Sequence, residues 1–224
     1  MKILAVETSS KICAVALAED DKLIKEEILE DENTHSVKLM PLIDKLLNNI
    51  NTKLEDIDLF AVDKGPGSFT GIRIGIATIK AFMDAKNKKG IGITSLETLA
   101  YNVEENGIIC SIIDAKNENV YCGLFERKEN KITQIEDLEF NNINEFIKRI
   151  KDKNEKIIFV GDAAINYKEL LRNELKENAK FIEHENFHKL NARNIAIAAF
   201  NNKENAGNSN SLIPNYLRKS NAER

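Results

Sequence analysis

Two α/β units in tandem is the fold class this sequence predicts, and three observations carry it. Apolar runs of strand length come in threes, at Lys2–Val6, Cys13–Ala18 and Leu23–Leu29, and again at Ile108–Asp114, Val120–Phe125 and Lys131–Leu138. Each triplet is followed by a helix-period apolar stripe and then a further strand, Ile57–Val62 or Ile157–Val160. Each of those strands runs into a Gly-containing turn and another helix. The order strand-strand-strand-helix-strand-helix thus occurs twice, without letter identity between the copies. The expected division is residues 1–105 and 106–224, with the last segment packing back on the first unit.

In chain order, the first three strands form an antiparallel meander, with Asp20-Asp21 at its second turn. Asn33 or Thr34 is the expected cap of a helix whose Leu39, Leu42, Ile43, Leu46, Leu47 and Ile50 follow the 3.6-residue repeat, with Val37 and Met40 widening the stripe. Gly65-Pro66-Gly67 ends the next strand near Lys64, because Pro66 lacks a ladder N–H. Ser68 is the expected N-cap of the helix that follows, which is apolar almost all round. Gly71 and Gly75 lie one turn apart on it, so another backbone can approach along that side. Two such apolar helices leave either a partner surface or a larger internal core. Strand Ile91–Ile93 and a helix from Thr94-Ser95 through Leu96, Leu99 and Val103 close the first half. In the second, a helix through Ile143, Phe146, Ile147 and Ile150 precedes the strand ending at Gly161-Asp162. A short strand at Lys180–Ile182 and a helix from about Asn191, with Ile195, Ala198 and Ala199 on one face, complete the chain.

The Gly-rich turn invites a phosphate-binding reading, which its spacings oppose. A P-loop has four residues between its first Gly and Gly-Lys-Ser/Thr, whereas Gly71 is followed by Ile72-Arg73. A dinucleotide fingerprint wants Gly at Thr70 and an acidic residue where Thr94-Ser95 ends the next strand.

The stretch Gly65-Pro66-Gly67-Ser68-Phe69-Thr70-Gly71-Ile72-Arg73-Ile74-Gly75 resembles the signature of the TsaB family of bacterial tRNA threonylcarbamoyladenosine (t6A) biosynthesis. Asp114-Ala115-Lys116, Val120-Tyr121, Gly161-Asp162-Ala163-Ala164 and Pro214-Asn215-Tyr216-Leu217-Arg218 also sit where that family has similar motifs. The resemblance and the element order imply two actin-like (ribonuclease H-like) ATPase domains with a degenerate nucleotide site. Where ATPases of that fold carry an acidic residue and a phosphate turn, this chain has Glu7-Thr8-Ser9-Ser10, without glycine; a polar ligand site and a plain hairpin both remain open. The resemblance implies a non-catalytic, cytoplasmic subunit that pairs with a TsaD-type catalytic subunit and a TsaE-type ATPase. It also implies a homodimer when alone, and tRNA contact only through the complex. It implies no cofactor, metal ligand or catalytic residue here. The expected partner surface comprises His35, Met40, Ile43, Phe69, Ile72, Arg73 and Ile76. An active ATPase or phosphotransferase of the same fold is the alternative.

Composition adds exclusions. Against 36 acidic residues stand 32 basic ones, for a formal net charge of -4, which is not the footprint of an independent nucleic-acid binder. Cys13, Cys110 and Cys122 are odd in number and far apart, as suits packed thiols. A run from Lys2 with neither signal peptide nor spanning segment predicts a cytosolic protein. His184-Glu185-Asn186-Phe187-His188 matches the zinc-protease pattern, but that chemistry needs both imidazoles on one face of a helix, and here the motif falls in a loop. Substituting His184 or His188 by alanine is therefore expected to leave cellular activity intact. His35 likewise lacks a second ligand, since the residue one turn on is Leu39.

Overall fold

The computed structural model describes residues 1–30 and 35–218; the expected cap at Asn33 or Thr34 lies outside them. Two compact units form. The first holds Met1–Thr98 together with Leu190–Tyr216, the second Leu99–Lys189 with Leu217 and Arg218.

In the first unit β1 (Lys2–Glu7), β2 (Ile12–Glu19) and β3 (Lys22–Glu30) form the antiparallel meander, and β4 (Leu59–Asp63) and β5 (Lys89–Ile93) extend it in parallel on the far side of β1. The sheet order is β3-β2-β1-β4-β5. Side chains alternate between faces. One face presents Leu4, Val6, Cys13, Val15, Leu17, Phe60 and Val62 to α1 (His35–Asn49) and α2 (Phe69–Lys86). On α1 the buried residues include Leu39, Leu42, Ile43, Leu46 and Leu47, the stripe that the helical repeat predicts, whereas Val37 and Met40 point to solvent. The opposite face is lined by Ala5, Ala14, Ala16, Ala18 and Ala61, all buried. Against β1 and β2 packs α7 (Ala192–Asn201), itself buried at Ala192, Ala196, Ala198 and Ala199. Small residues on both sides allow that close approach. This is why residues 190–216 join the first unit rather than the second, shifting the division from the expected 105/106 boundary to one inside α3 (Ser95–Ala100).

The second unit repeats the plan with one change. β6 (Gly107–Asp114) and β7 (Asn119–Lys128) pair antiparallel, while β10 (Ile157–Val160) and β11 (Ala179–Phe181) add in parallel. The single third strand expected at Lys131–Leu138 is instead two, β8 (Lys131–Gln134) and β9 (Glu139–Asn142), which pair with successive stretches of β7. Between them the chain leaves the ladder, and Leu138 lies over Gly123, where a Cβ would come within 2.6 Å of its Cδ2. Helices α4 (Ile143–Lys151), α5 (Asp162–Asn166) and α6 (Lys168–Leu175) cover one sheet face, closing a core that includes Cys110, Cys122, Phe146 and Phe159. All three cysteines are free and buried, and burial pushes the thiols of Cys13 and Cys122 up to about 11 and about 12.

Candidate functional site

The β1–β2 turn is the point on which the first unit converges. α2 begins at Ser68, whose Oγ accepts the Gly71 N–H at 3.3 Å, the cap that the sequence predicts. The following turn then presses on Thr8: a Cβ at Gly71 would sit 1.8 Å from the Thr8 carbonyl oxygen, and one at Gly75 would sit 2.5 Å from Thr8 Oγ1. Thr8 Oγ1 in turn donates to the Gly71 carbonyl at 2.8 Å. The paired glycines therefore admit the turn backbone. His35, at the start of α1, is held by its Nε2, which donates to the Ser10 carbonyl at 2.9 Å. Both helices thus start on the same four-residue turn.

Inside it, Glu7 folds back on its own chain. Its Oε1 accepts from Ser9 N at 2.9 Å, Ser9 Oγ at 2.8 Å and Ser10 N at 3.1 Å. Asp63, at the end of β4, accepts on Oδ1 from Gly65 N at 2.6 Å and Ser95 Oγ at 2.7 Å. Both carboxyls are fully buried. Burial, then the neighbouring Asp63 charge, raises Glu7 well above the usual carboxylate range, and burial raises Asp63. A nucleotide phosphate, which the fold suggests, does not fit here. The Ser9 and Ser10 amides that would cradle a phosphate are already donated to Glu7, and a second acidic group stands beside it. Among the described residues no group of three or more His, Cys, Asp or Glu side chains could hold a metal ion.

The residues expected at a partner surface divide. His35, Ile43, Ile72 and Ile76 are buried within the unit, because they face the sheet or the turn. Met40 and Arg73 point outward, Phe69 is half-buried, and Val37, not among those expected, is 69% exposed. One cover comes from the last segment of the chain. Tyr216 stacks on Phe69 with ring centroids 4.7 Å apart, and Arg73 Nε donates to its Oη at 2.9 Å. The strap it belongs to is tied down by Asn215 N, which donates to the Lys64 carbonyl at 2.7 Å.

The zinc-protease pattern dissolves in the structure. Glu185–His188 is a short 3-10 turn, His184 is exposed, and His188 is buried. His188 Nε2 donates to the Ile182 carbonyl at 2.9 Å, while Nδ1 accepts from Gly161 N at 3.2 Å. His188 therefore pins the turn after β10, where Gly161 has φ of 110° and a Cβ would meet the Ile112 carbonyl at 2.0 Å. Sequence reading missed this anchor because its partners are backbone atoms.

Two actin-like domains with a filled phosphate turn define a protein of the ATPase fold whose first nucleotide loop is closed. As to fold, a ROK hexokinase from Thermus thermophilus matches at a TM-score of 0.55 with 9% identity, covering 91% of this chain and 99% of that one. The YeaZ structure from Pseudomonas aeruginosa matches at 0.78 with 20% identity, covering 96% and 99%. A family model described as TsaD, tRNA N6-adenosine threonylcarbamoyltransferase, matches residues 22–224. The Bacillus subtilis tRNA threonylcarbamoyladenosine biosynthesis protein TsaB is 32% identical over 224 residues, covering 100% of this chain and 96% of the relative. The chain belongs to the TsaB family.

Proposed function

We propose that this protein serves t6A biosynthesis in the cytoplasm as a non-catalytic subunit that docks on a TsaD-type catalytic subunit. A TsaE-type ATPase joins the assembly, and tRNA is met through it. The observation that carries this reading is the similarity to B. subtilis TsaB along essentially the whole of both chains. The closed turn at Glu7 and the absence of a second histidine beside His35 support a supporting rather than chemical role. No helix among the described residues is long and apolar enough to cross a membrane.

The docking surface is the outward side of α1 and α2, which touch each other and start on one turn. Val37 and Met40 expose apolar surface there, and Arg73 adds a charged, tyrosine-braced contact. The same face serves self-association. Depletion should lower t6A in bulk tRNA, read by mass spectrometry of digested tRNA, without lowering threonylcarbamoyl-AMP formation. Wild type should restore the modification. Met40→Glu should stay folded by circular dichroism, weaken TsaD-type subunit binding by about two decades and fail to restore it. Unchanged t6A after full depletion overturns the function. Restored t6A with unweakened binding by both Met40→Glu and Arg73→Glu overturns the surface alone.

A further inference from the structure

The paired carboxyls beneath the β1–β2 turn are no part of the exposed surface. Glu7 and Asp63 are each 0% exposed, and the parallel register that sets Val6 opposite Val62 brings them side by side at the ends of β1 and β4. Among the described residues, every donor to the pair falls on Glu7 Oε1 or Asp63 Oδ1. The other two oxygens, Glu7 Oε2 and Asp63 Oδ2, are buried with no donor among the described residues. Two bare carboxylates side by side in a dry interior repel one another and leave two acceptors unsatisfied, a state that proteins avoid. One hydrogen between the two orphan oxygens removes both faults at once.

We infer that Glu7 and Asp63 share a single proton between Glu7 Oε2 and Asp63 Oδ2, and that this proton clasps the β1–β2 turn to the end of β4. Through Ser95, which donates to Asp63 and lies 3.3 Å from Ser9 Oγ, the clasp also reaches the start of α3. The surrounding ionisable groups do not supply an alternative counter-charge at the pair. Cys13 on β2 is a buried thiol, and His35 on α1 spends its Nε2 on Ser10. Glu97 on α3 is acidic and accepts from Asn202 at 2.9 Å; Lys64 after β4 acts on Glu97. α2 faces the turn with Gly71 and Gly75, and α7 carries only Arg193, exposed, with its N–H on Glu26.

The sign of the pH dependence follows. Burial raises both carboxyls above the ordinary carboxylate range, and the Asp63 charge raises Glu7 further. The stability contributed by the proton is therefore full below the unfolded carboxylate value of about 4 and is lost as pH rises through the raised native value.

Glu7→Gln tests this in the full-length protein. Its amide N–H replaces the shared hydrogen, while its carbonyl still accepts from Ser9 and Ser10. Asp63→Asn makes the same replacement from the other side. Wild type at neutral pH should show the infrared band of one protonated carboxylic acid, absent from either variant. The wild-type folding constant should fall relative to Glu7→Gln by up to tenfold per pH unit within the titration window, one proton's worth of linkage. Absence of the wild-type band at neutral pH overturns the proposal even if neither variant folds. So does a stability gap between wild type and a folded variant that does not change from about pH 5 to about pH 9. A rise in the wild-type unfolding midpoint with Mg2+ that Glu7→Gln abolishes would also overturn it, since the pair would then hold a cation.

Discussion

Glu7 ends β1 and Asp114 ends β6, equivalent places in the two units, yet their surroundings differ. Glu7 is fully buried and its turn stays within ordinary backbone space, whereas Asp114 is half-buried and followed by Lys116, Asn117 and Glu118 at φ of 67°, 53° and 59°. Asp114 Oδ1 accepts from Lys116 N at 2.8 Å, Oδ2 from Asn166 Nδ2 at 3.3 Å, and a mobile-length lysine, Lys116, lies 3.5 Å away. The neighbouring Asp162 accepts the Asp114 N–H at 2.9 Å. The second turn is thus stitched by polar partners at the protein surface, and the first by a helix pressed on it. The same strand order delivers a carboxyl to the same place, and the packing beside it decides whether that group is sealed.

The comparison can be broken most severely at its two glycines. Gly71→Ala and Gly161→Ala each drive a Cβ into a carbonyl oxygen, of Thr8 or Ile112. Each should cost more than about 3 kcal/mol in urea unfolding. A loss under about 1 kcal/mol at Gly71 would mean that α2 does not bear on the turn.

Next come the carboxyls themselves. Glu7→Ala strips three buried donors of their acceptor and leaves Asp63 without its partner, for a loss of about 2–4 kcal/mol. Asp114→Ala should cost about 1 kcal/mol or less, because its donors reach water. Equal losses in chemical denaturation would erase the distinction between a sealed and a wet turn.

The smallest contrast lies within the false zinc motif. His188→Ala should cost about 1–3 kcal/mol by freeing buried Gly161 N and Ile182 O, whereas His184→Ala should stay within about 0.5 kcal/mol of wild type. Matching thermal midpoints for the two variants would show that His188 does not hold its turn.

Much of the fold was legible because its signals are local. Period-two runs such as Cys13–Ala18, the helical stripe through Leu39, Leu42, Ile43, Leu46 and Leu47, and the Ser68 cap are set by which face of an element is buried and by neighbouring backbone donors. The repeated element order and the Gly65–Gly75 signature likewise identified the actin-like fold and its family before any coordinates. The alanines alternating with Cys13, Val15 and Leu17 line the far face of β2, where a helix packs closely. Other decisions rested on contacts between residues far apart in the chain. That α7 supplies this helix, that Ile72 and Ile76 turn inward while Arg73 meets Tyr216, and that Glu7 reaches Asp63 depend on how separate elements dock. An apolar side chain on a helix carries no mark of whether sheet or partner will cover it, and a carboxyl's charge state depends on neighbours that only the folded chain assembles.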